Sequence, residues 1–333
     1  MKQALLFRQP LPQKKHLPDE GEKKRVIVIA GPTAVGKTQL SLSLSKAIGG
    51  EIVSADSMQV YRGMDIGTAK ASPEERAVVP HHMIDICDLD EPFNVAEFYH
   101  RTQDVFCDIS LRDNVPIVVG GSGFYVHALL YGPPAGPPSS PDVRDLLERQ
   151  MRELGPEILF ERLQMLDPVY AETISERDRH KIIRALEIIA LTDRKVSEIP
   201  KADQLQEQDY DFRCWFIYYP RDRLYSRIEL RCDQMIQNGF LNEVKRLEER
   251  GLKLNSSASQ AIGYRQALDY LQSAQTEADF YLFTTQFKKA SRQYAKRQFT
   301  WFRKEPIFRW LNIDELGVER LKELILQDFE QGI

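Results

Sequence analysis

The stretch RVIVIAGPTAVGKTQLSLSLSKAI, residues 25–48, decides the fold. It opens with a continuous β-branched run, RVIVIA (25–30), of the kind expected for a strand buried on both faces. Residues 31–38, GPTAVGKT, then match G-x-x-x-x-G-K-[ST] completely. Gly31 and Gly36 let the backbone curl around the phosphate-binding residues Gly31 to Thr38, so that the N–H groups of Gly31, Thr33, Ala34, Val35 and Gly36 turn toward phosphate oxygens, Pro32 shaping the turn without a donor. Lys37 reaches the outer phosphates, and the Thr38 hydroxyl is placed for Mg²⁺. The helix predicted over 37–48 adds its positive N-terminal end.

Outward from this unit, similar apolar runs recur between helical patterns: EIVSAD (51–56), HMIDI (82–86), PIVVGG (116–121) and CWFIYY (214–219). Helices are expected at 95–112 and 123–130, and such alternation means an α/β fold around a parallel sheet. Residues 131–141, YGPPAGPPSSP, carry five prolines and two glycines and interrupt it. About sixty residues of helical patterning without a strand candidate follow. Four segments are therefore expected: a loosely ordered lead-in at 1–24, an α/β core at 25–138, an all-helical insertion at 139–205, and a core completion at 206–333 with one strand and C-terminal helices.

Composition narrows the class. Of 333 residues 42% are hydrophobic and 28% charged, and no apolar run approaches a membrane span. The N-terminus lacks a signal-peptide pattern, and Cys87, Cys107, Cys214 and Cys232 lie far apart, so a cytoplasmic protein with reduced thiols is expected. The net charge of −4 argues mildly against nucleic acid, yet residues 286–304 hold seven Lys or Arg and no acid. As a helix, this tract places Lys289, Arg292, Lys296 and Arg303 on one face, suited to RNA phosphates. Its aromatics suit either a core or base stacking. His81 and His82 read as structural, because no third ligand is spaced to join them.

A phosphate loop alone does not choose a reaction. The strand PIVVGG ends in glycines instead of the metal-binding aspartate usual in nucleotide hydrolases. The carboxylate stands instead at the end of EIVSAD, as Asp56. A turn aspartate closing a strand is the plainer alternative for it. For Arg227 and Arg231, the plainer alternative is a solvated helix face.

Taken together, GPTAVGKT, SADSMQVYRGMDIGTAK (54–70), HHMIDI (81–86), GGSGFY (120–125), IIRALE (182–187), RIELR (227–231), QAIGYR (260–265) and QYAKRQFTWFR (293–303) resemble the tRNA dimethylallyltransferase, or isopentenyl-tRNA transferase, family nearly end to end. The resemblance implies a P-loop NTPase-like core with a helical insertion. It implies transfer of the dimethylallyl group of dimethylallyl diphosphate to N6 of the adenosine just 3′ of the anticodon, in tRNAs reading codons that begin with U. The phosphate loop would then hold a leaving diphosphate together with Mg²⁺, and ATP would not be consumed. Asp56 matches the family's catalytic aspartate, and Lys37 and Arg231 match the groups that stabilise the leaving diphosphate. The tRNA contacts implied are Asp56, Ser57, Met58 and Gln59; Ser122, where the family usually has Thr; Arg144; the tract His180, Lys181, Ile182, Ile183 and Arg184; and the loop Gln260, Ala261, Ile262, Gly263, Tyr264 and Arg265. Partners implied are the anticodon stem-loop, gripped by the insertion, and the diphosphate donor, served by a monomer. Lack of a C-terminal Cys/His module fits the shorter, bacterial type. Prenylation of free AMP, ADP or ATP and ATP-dependent phosphotransfer to a small molecule stand as alternatives, as does RNA binding without chemistry.

Overall fold

A computed structural model describes residues 23–134, 136–199 and 210–331. Most of the expected lead-in, and residues 200–209 where the expected insertion gives way to the core completion, lie outside the described residues. The elements run β1 (Lys24–Ala30), α1 (Lys37–Ile48), β2 (Gly50–Ala55), α2 (Pro73–Val78), β3 (His81–His82), α3 (Val95–Leu111), β4 (Val115–Gly120), α4 (Gly123–Tyr131), α5 (Pro141–Leu166), α6 (Pro168–Ala171), α7 (Arg179–Thr192), β5 (Tyr210–Tyr218), α8 (Arg221–Gln237), α9 (Phe240–Glu249), α10 (Tyr264–Leu271), α11 (Glu277–Phe302), β6 (Arg309–Asn312) and α12 (Ile313–Gln331).

The six strands form one sheet in the order β3-β2-β4-β1-β5-β6, and every pairing is parallel. β1 sits inside it, in register with β4 (Ile27 beside Ile117) and β5 (Ile27 beside Arg213). Its unbroken hydrophobicity has a simple cause. Ile27 and Ile29 enter the core beneath α1, α8 and α12, while Val26, Val28 and Ala30 enter the opposite core beneath α3 and α4. Both faces are buried, so alternation disappears.

Two sequence expectations change here. HMIDI is no five-residue strand: pairing stops after His82, because Met83 and Asp85 take left-handed backbone at φ 61° and 55°. The chain turns there to lay Ile86 and Cys87 against Val60. The C-terminal part also adds a strand, β6, at the sheet edge beside β5.

Helices α5 to α7 build the insertion around their own core of Leu147, Met151, Leu159, Leu163, Ile182, Ile183 and Leu186. α5 is kinked where Gly155 adopts φ 85° ahead of Pro156. The connector leading into it is held by Glu187 of α7, which is fully buried. That carboxylate accepts hydrogen bonds from the Ser139 hydroxyl, the Ser140 N–H and the Arg184 guanidinium. Burial alone would raise the Glu187 pKa, but the Ser139 and Arg184 bonds hold it below the usual range.

Candidate active site

The phosphate loop curls as its glycines allow. Gly36 lies at φ 101° and Ala34 at φ 63°, so successive peptide units turn inward ahead of α1. Lys37 folds over the loop and donates to the carbonyls of Gly31 (2.8 Å) and Pro32 (2.9 Å). Burial, and then the neighbouring Arg231 cation, push the Lys37 amine down to about 7, against a partial offset from Asp56. Two side chains from distant helices hold the loop in place. Arg227 donates its Nε–H to the Ala34 carbonyl at 2.9 Å while lying over the Tyr219 ring. The Thr33 N–H donates to Gln298 Oε1 at 3.0 Å, and Gln298 Nε2 donates to the Gly121 carbonyl at 3.0 Å.

Asp56 follows β2, which is not adjacent to β1: β4 runs between them. The carboxylate reaches the phosphate loop because β4 ends without side chains. A Cβ on Gly120 would stand 2.2 Å from the Ala55 carbonyl oxygen, and one on Gly121 would stand 2.1 Å from Gln298 Nε2. Only glycine fits this narrow crossing. Asp56 Oδ1 accepts the Met58 N–H at 2.9 Å, so the turn role anticipated for it is present. That bond also fixes the carboxyl toward the cavity.

Two cavities meet at this carboxylate. One, of about 480 Å³, runs along the phosphate loop past Lys37, Thr38 and His81. The other, of about 330 Å³, has apolar walls from Ile228, Met235, Ile262 and Phe287 and polar groups from Ser257 and Gln260. Thr33, Ala34, Asp56, Thr68, Arg231 and Tyr294 line both. Burial lowers the Arg231 pKa from its ordinary value, with Asp56 opposing. Burial, then the Asp56 charge, raise that of the Tyr294 hydroxyl, with the nearby Ser122 opposing. Ser122 Oγ in turn accepts the Ser57 N–H at 3.1 Å.

The wall of the second cavity is tied down by Glu243 of α9. Its buried carboxylate accepts the N–H groups of Asp65 (3.0 Å), Ile66 (2.6 Å) and Gly67 (3.1 Å) and the Tyr264 hydroxyl (2.6 Å).

Of the residues implied as site residues, Thr33 to Thr38 of the loop, Asp56, Arg231, Ser57, Met58, Gln260, Ala261, Ile262 and Tyr264 come together around these cavities, while Gly31 and Pro32 are buried and present their carbonyls to Lys37. Gln59 lines the first cavity, but its amide is engaged with Ser54 and Thr68. Gly263 is buried beneath the loop, and Arg265 is exposed. Arg144 and the tract 180–184 lie on the insertion. There Ile182 and Ile183 pack inside its core, which leaves their side chains no surface to offer a partner. Arg144 and Arg184 engage Glu187, which holds the connector into α5, while His180 and Lys181 are exposed.

On the basic tract, Arg292 is spoken for by Glu229 of α8, whereas Lys289, Lys296 and Arg303 face solvent. His82 bonds Glu51 at 2.6 Å, and the His81 ring meets the Val79 carbonyl at 2.7 Å, so both have structural partners. Among the described residues no cluster of three or more His, Cys, Asp or Glu could cage a metal. Thr38 and Asp56 both line the first cavity and offer oxygen donors of the kind a divalent ion takes.

Tyr294, Gln298 and Glu243 were missed from sequence. A signal existed for two of them: Ser291, Tyr294 and Gln298 interrupt the apolar stripe of α11 at helical spacing. Polar groups on a buried stripe need partners, and here Gln298 finds them in the phosphate loop and at the end of β4.

The arrangement has cations and loop N–H groups at one end, a carboxylate at the junction, and a partly apolar chamber beyond. It can hold a phosphorylated donor against a planar acceptor. The IPP transferase family profile matches residues 59–305. A tRNA dimethylallyltransferase of Protochlamydia amoebophila is 57% identical over 308 residues, 92% of this chain and 90% of that protein. One of Chlamydia caviae is 46% identical over the same shares. Among solved structures, the full-length tRNA isopentenylpyrophosphate transferase of Bacillus halodurans superposes with a TM-score of 0.67 at 38% identity, covering 93% of this chain and 98% of that one. A eukaryotic dimethylallyltransferase acting on tRNA superposes with a TM-score of 0.76 at 29% identity, covering 93% and 80%. With about three-quarters of its length, residues 59–305, inside that profile, and with relatives of the same kind at 57% and 46% identity, this chain belongs to the IPP transferase family.

Proposed function

We infer that the protein is a tRNA dimethylallyltransferase, moving the dimethylallyl group of dimethylallyl diphosphate to N6 of the adenosine just 3′ of the anticodon. The observation that carries this is the meeting of the two cavities at Asp56, with Lys37 and Arg231 on the phosphate side. An adenine amino group is a weak nucleophile because its lone pair is delocalised into the ring. Asp56 accepts the N6 proton as the N6–C1 bond forms, and the C1–O bond breaks with its electron pair leaving on the diphosphate. Lys37, Arg231 and the loop N–H groups neutralise that developing charge. Mg²⁺, held through Thr38 and the diphosphate oxygens, would supply further electrostatic stabilisation to the leaving group.

The acceptor base must leave its stack to enter the chamber. The insertion grips the anticodon stem, with exposed His180 and Lys181 available to its phosphates. One chain supplies both cavities and the insertion, which favours a working monomer. Labelled dimethylallyl diphosphate, Mg²⁺ and unmodified tRNA reading codons that begin with U provide the test. Label should enter tRNA and not free AMP, and Asp56→Asn should keep diphosphate binding while turnover falls about 10²-fold. Label appearing in AMP and not in tRNA would overturn this reading.

A further inference from the structure

The aromatics of the basic tract divide in the folded protein. Phe299 and Phe302 pack against Phe216 of β5. Trp301 goes outward and stays 39% exposed, beside Phe124 of α4, itself 47% exposed. Their rings meet edge to face, with centroids 6.3 Å apart at 72°, and the His127 ring stands at 85° to the indole, 6.4 Å away. Together they line an open cleft of about 780 Å³ between α4 and α11.

Exposed rings of this size are costly in water and are usually packed away when a fold can do so. Here the packing that exists holds the indole in place without covering it. A Cβ on Gly123 would stand 2.3 Å from the Trp301 ring, so the missing side chain is what lets the indole lie against the start of α4.

Charge points the same way. Lys296, Arg297 and Lys304 line the cleft, and among the described residues none of the three has an ion-pair partner. The one acid lining it, Glu305, is buried and engaged by His127 at 2.8 Å. A face of flat apolar rings fringed by cations without ion-pair partners, Arg297 among them lying over the Tyr294 ring, is complementary to an unpaired nucleobase with its flanking phosphates. It is not complementary to an apolar peptide, which would leave the cations unanswered. Arg297 lines both the cleft and the acceptor chamber, so the two are neighbours.

We propose that the Phe124–Trp301 cleft is a stacking site for an unpaired nucleobase of the RNA substrate that neighbours the base being modified. This rests on the tRNA reading above. A neighbouring base captured in the cleft keeps the loop open while the target base sits in the chamber.

The test is a thermodynamic cycle between side chain and base. The intact protein is titrated with an anticodon stem-loop hairpin, and then with hairpins made abasic at each unpaired position flanking the target adenosine. For wild type, one abasic site should weaken binding about tenfold, the scale of a single base-aromatic stack. Trp301→Ala should weaken binding of the intact hairpin by a similar factor and then be insensitive to that same abasic site. Trp301→Phe should restore most of the loss, and dimethylallyl diphosphate binding should be unchanged in both variants. Phe124→Ala, on the helix surface, should repeat the pattern if Trp301→Ala folds poorly. Abasic penalties of equal size in wild type and both alanine variants, at every flanking position, would overturn the proposal. A wild type that binds no hairpin would overturn it together with the tRNA reading, whereas hairpin binding with additive penalties would overturn the stacking site alone.

Discussion

Glu243 makes no contact with either reacting group, yet its loss should be felt at the acceptor chamber. Its carboxylate takes four hydrogen bonds, from the N–H groups of Asp65, Ile66 and Gly67 and from the Tyr264 hydroxyl. Bonds to a charged group are worth roughly 1.5–3 kcal/mol each, but a simple sum overstates the effect. Residues 65–67 are partly exposed and can turn their N–H groups to water after the carboxylate is gone. Tyr264 is fully buried and cannot. One stranded hydroxyl plus three weakened N–H bonds gives about 4 kcal/mol for Glu243→Ala. Glu243→Gln keeps the shape and one acceptor oxygen, and should cost about 2 kcal/mol. Urea unfolding followed by tryptophan fluorescence suits the measurement, because Trp215, Trp301 and Trp310 all lie in the sheet-bearing unit and none lies in the insertion. In steady-state kinetics the glutamine variant should raise the KM for tRNA well above its effect on the KM for the diphosphate donor, since Gly67 and Tyr264 line the acceptor chamber. Stabilities within about 0.5 kcal/mol of wild type, the range of an ordinary surface change, with an unaltered KM for tRNA would show that Glu243 does not brace the chamber.

Two further predictions concern the phosphate end. Lys37 is pushed down from 10.5 to about 7, so the unfolded chain keeps this proton to higher pH than the folded one. Charged Lys37 therefore opposes folding in full below pH 7, and that opposition is relieved as pH rises from about 7 toward 10.5. A diphosphate beside it favours the ammonium, so donor binding at about pH 8 should take up close to one proton. Calorimetry in buffers of different ionisation enthalpy reads this, and buffer-independent heats would contradict it. Gln298→Ala removes both ties between the phosphate loop and Gly121; at roughly 1 kcal/mol per bond, donor Kd should rise about tenfold or somewhat more. An unchanged Kd by the same titration would mean the loop holds its shape without the clamp.

How far the sequence was legible depends on how local each feature is. The phosphate loop could be read because turn chemistry and helix start are set by eight consecutive residues. β1 could be read because a strand buried on both faces has no polar positions. HMIDI misled because an apolar run does not reveal that Met83 and Asp85 adopt left-handed backbone, where the Asp85 carboxylate bridges Lys70 and Arg76. β6 was passed over because RWLN is short and lies at a sheet edge, where burial imposes little pattern. In the site, Asp56 was found through its motif, while its route to the phosphate loop across two glycines at the end of β4 is a matter of strand order. Gln298 clamps residues that lie 177 and 265 positions away in sequence, a pairing that no local pattern announces. For Arg184 the motif gives no hint of a second engagement: its guanidinium also secures the connector ahead of α5 through Glu187 and the Pro137 carbonyl.

If the phosphate loop clamps a leaving diphosphate, a carbon–oxygen bond breaks during transfer and no phosphorus–oxygen bond does. Dimethylallyl diphosphate carrying ¹⁸O at the bridging C1–O position tests this in a single turnover with tRNA, with both products weighed by mass spectrometry. The expected products are intact diphosphate retaining all of the label, and a tRNA adenosine heavier by one unlabelled dimethylallyl group. Label left on the organic fragment, or release of inorganic phosphate in step with transfer, would contradict a diphosphate clamp at Gly31 to Thr38.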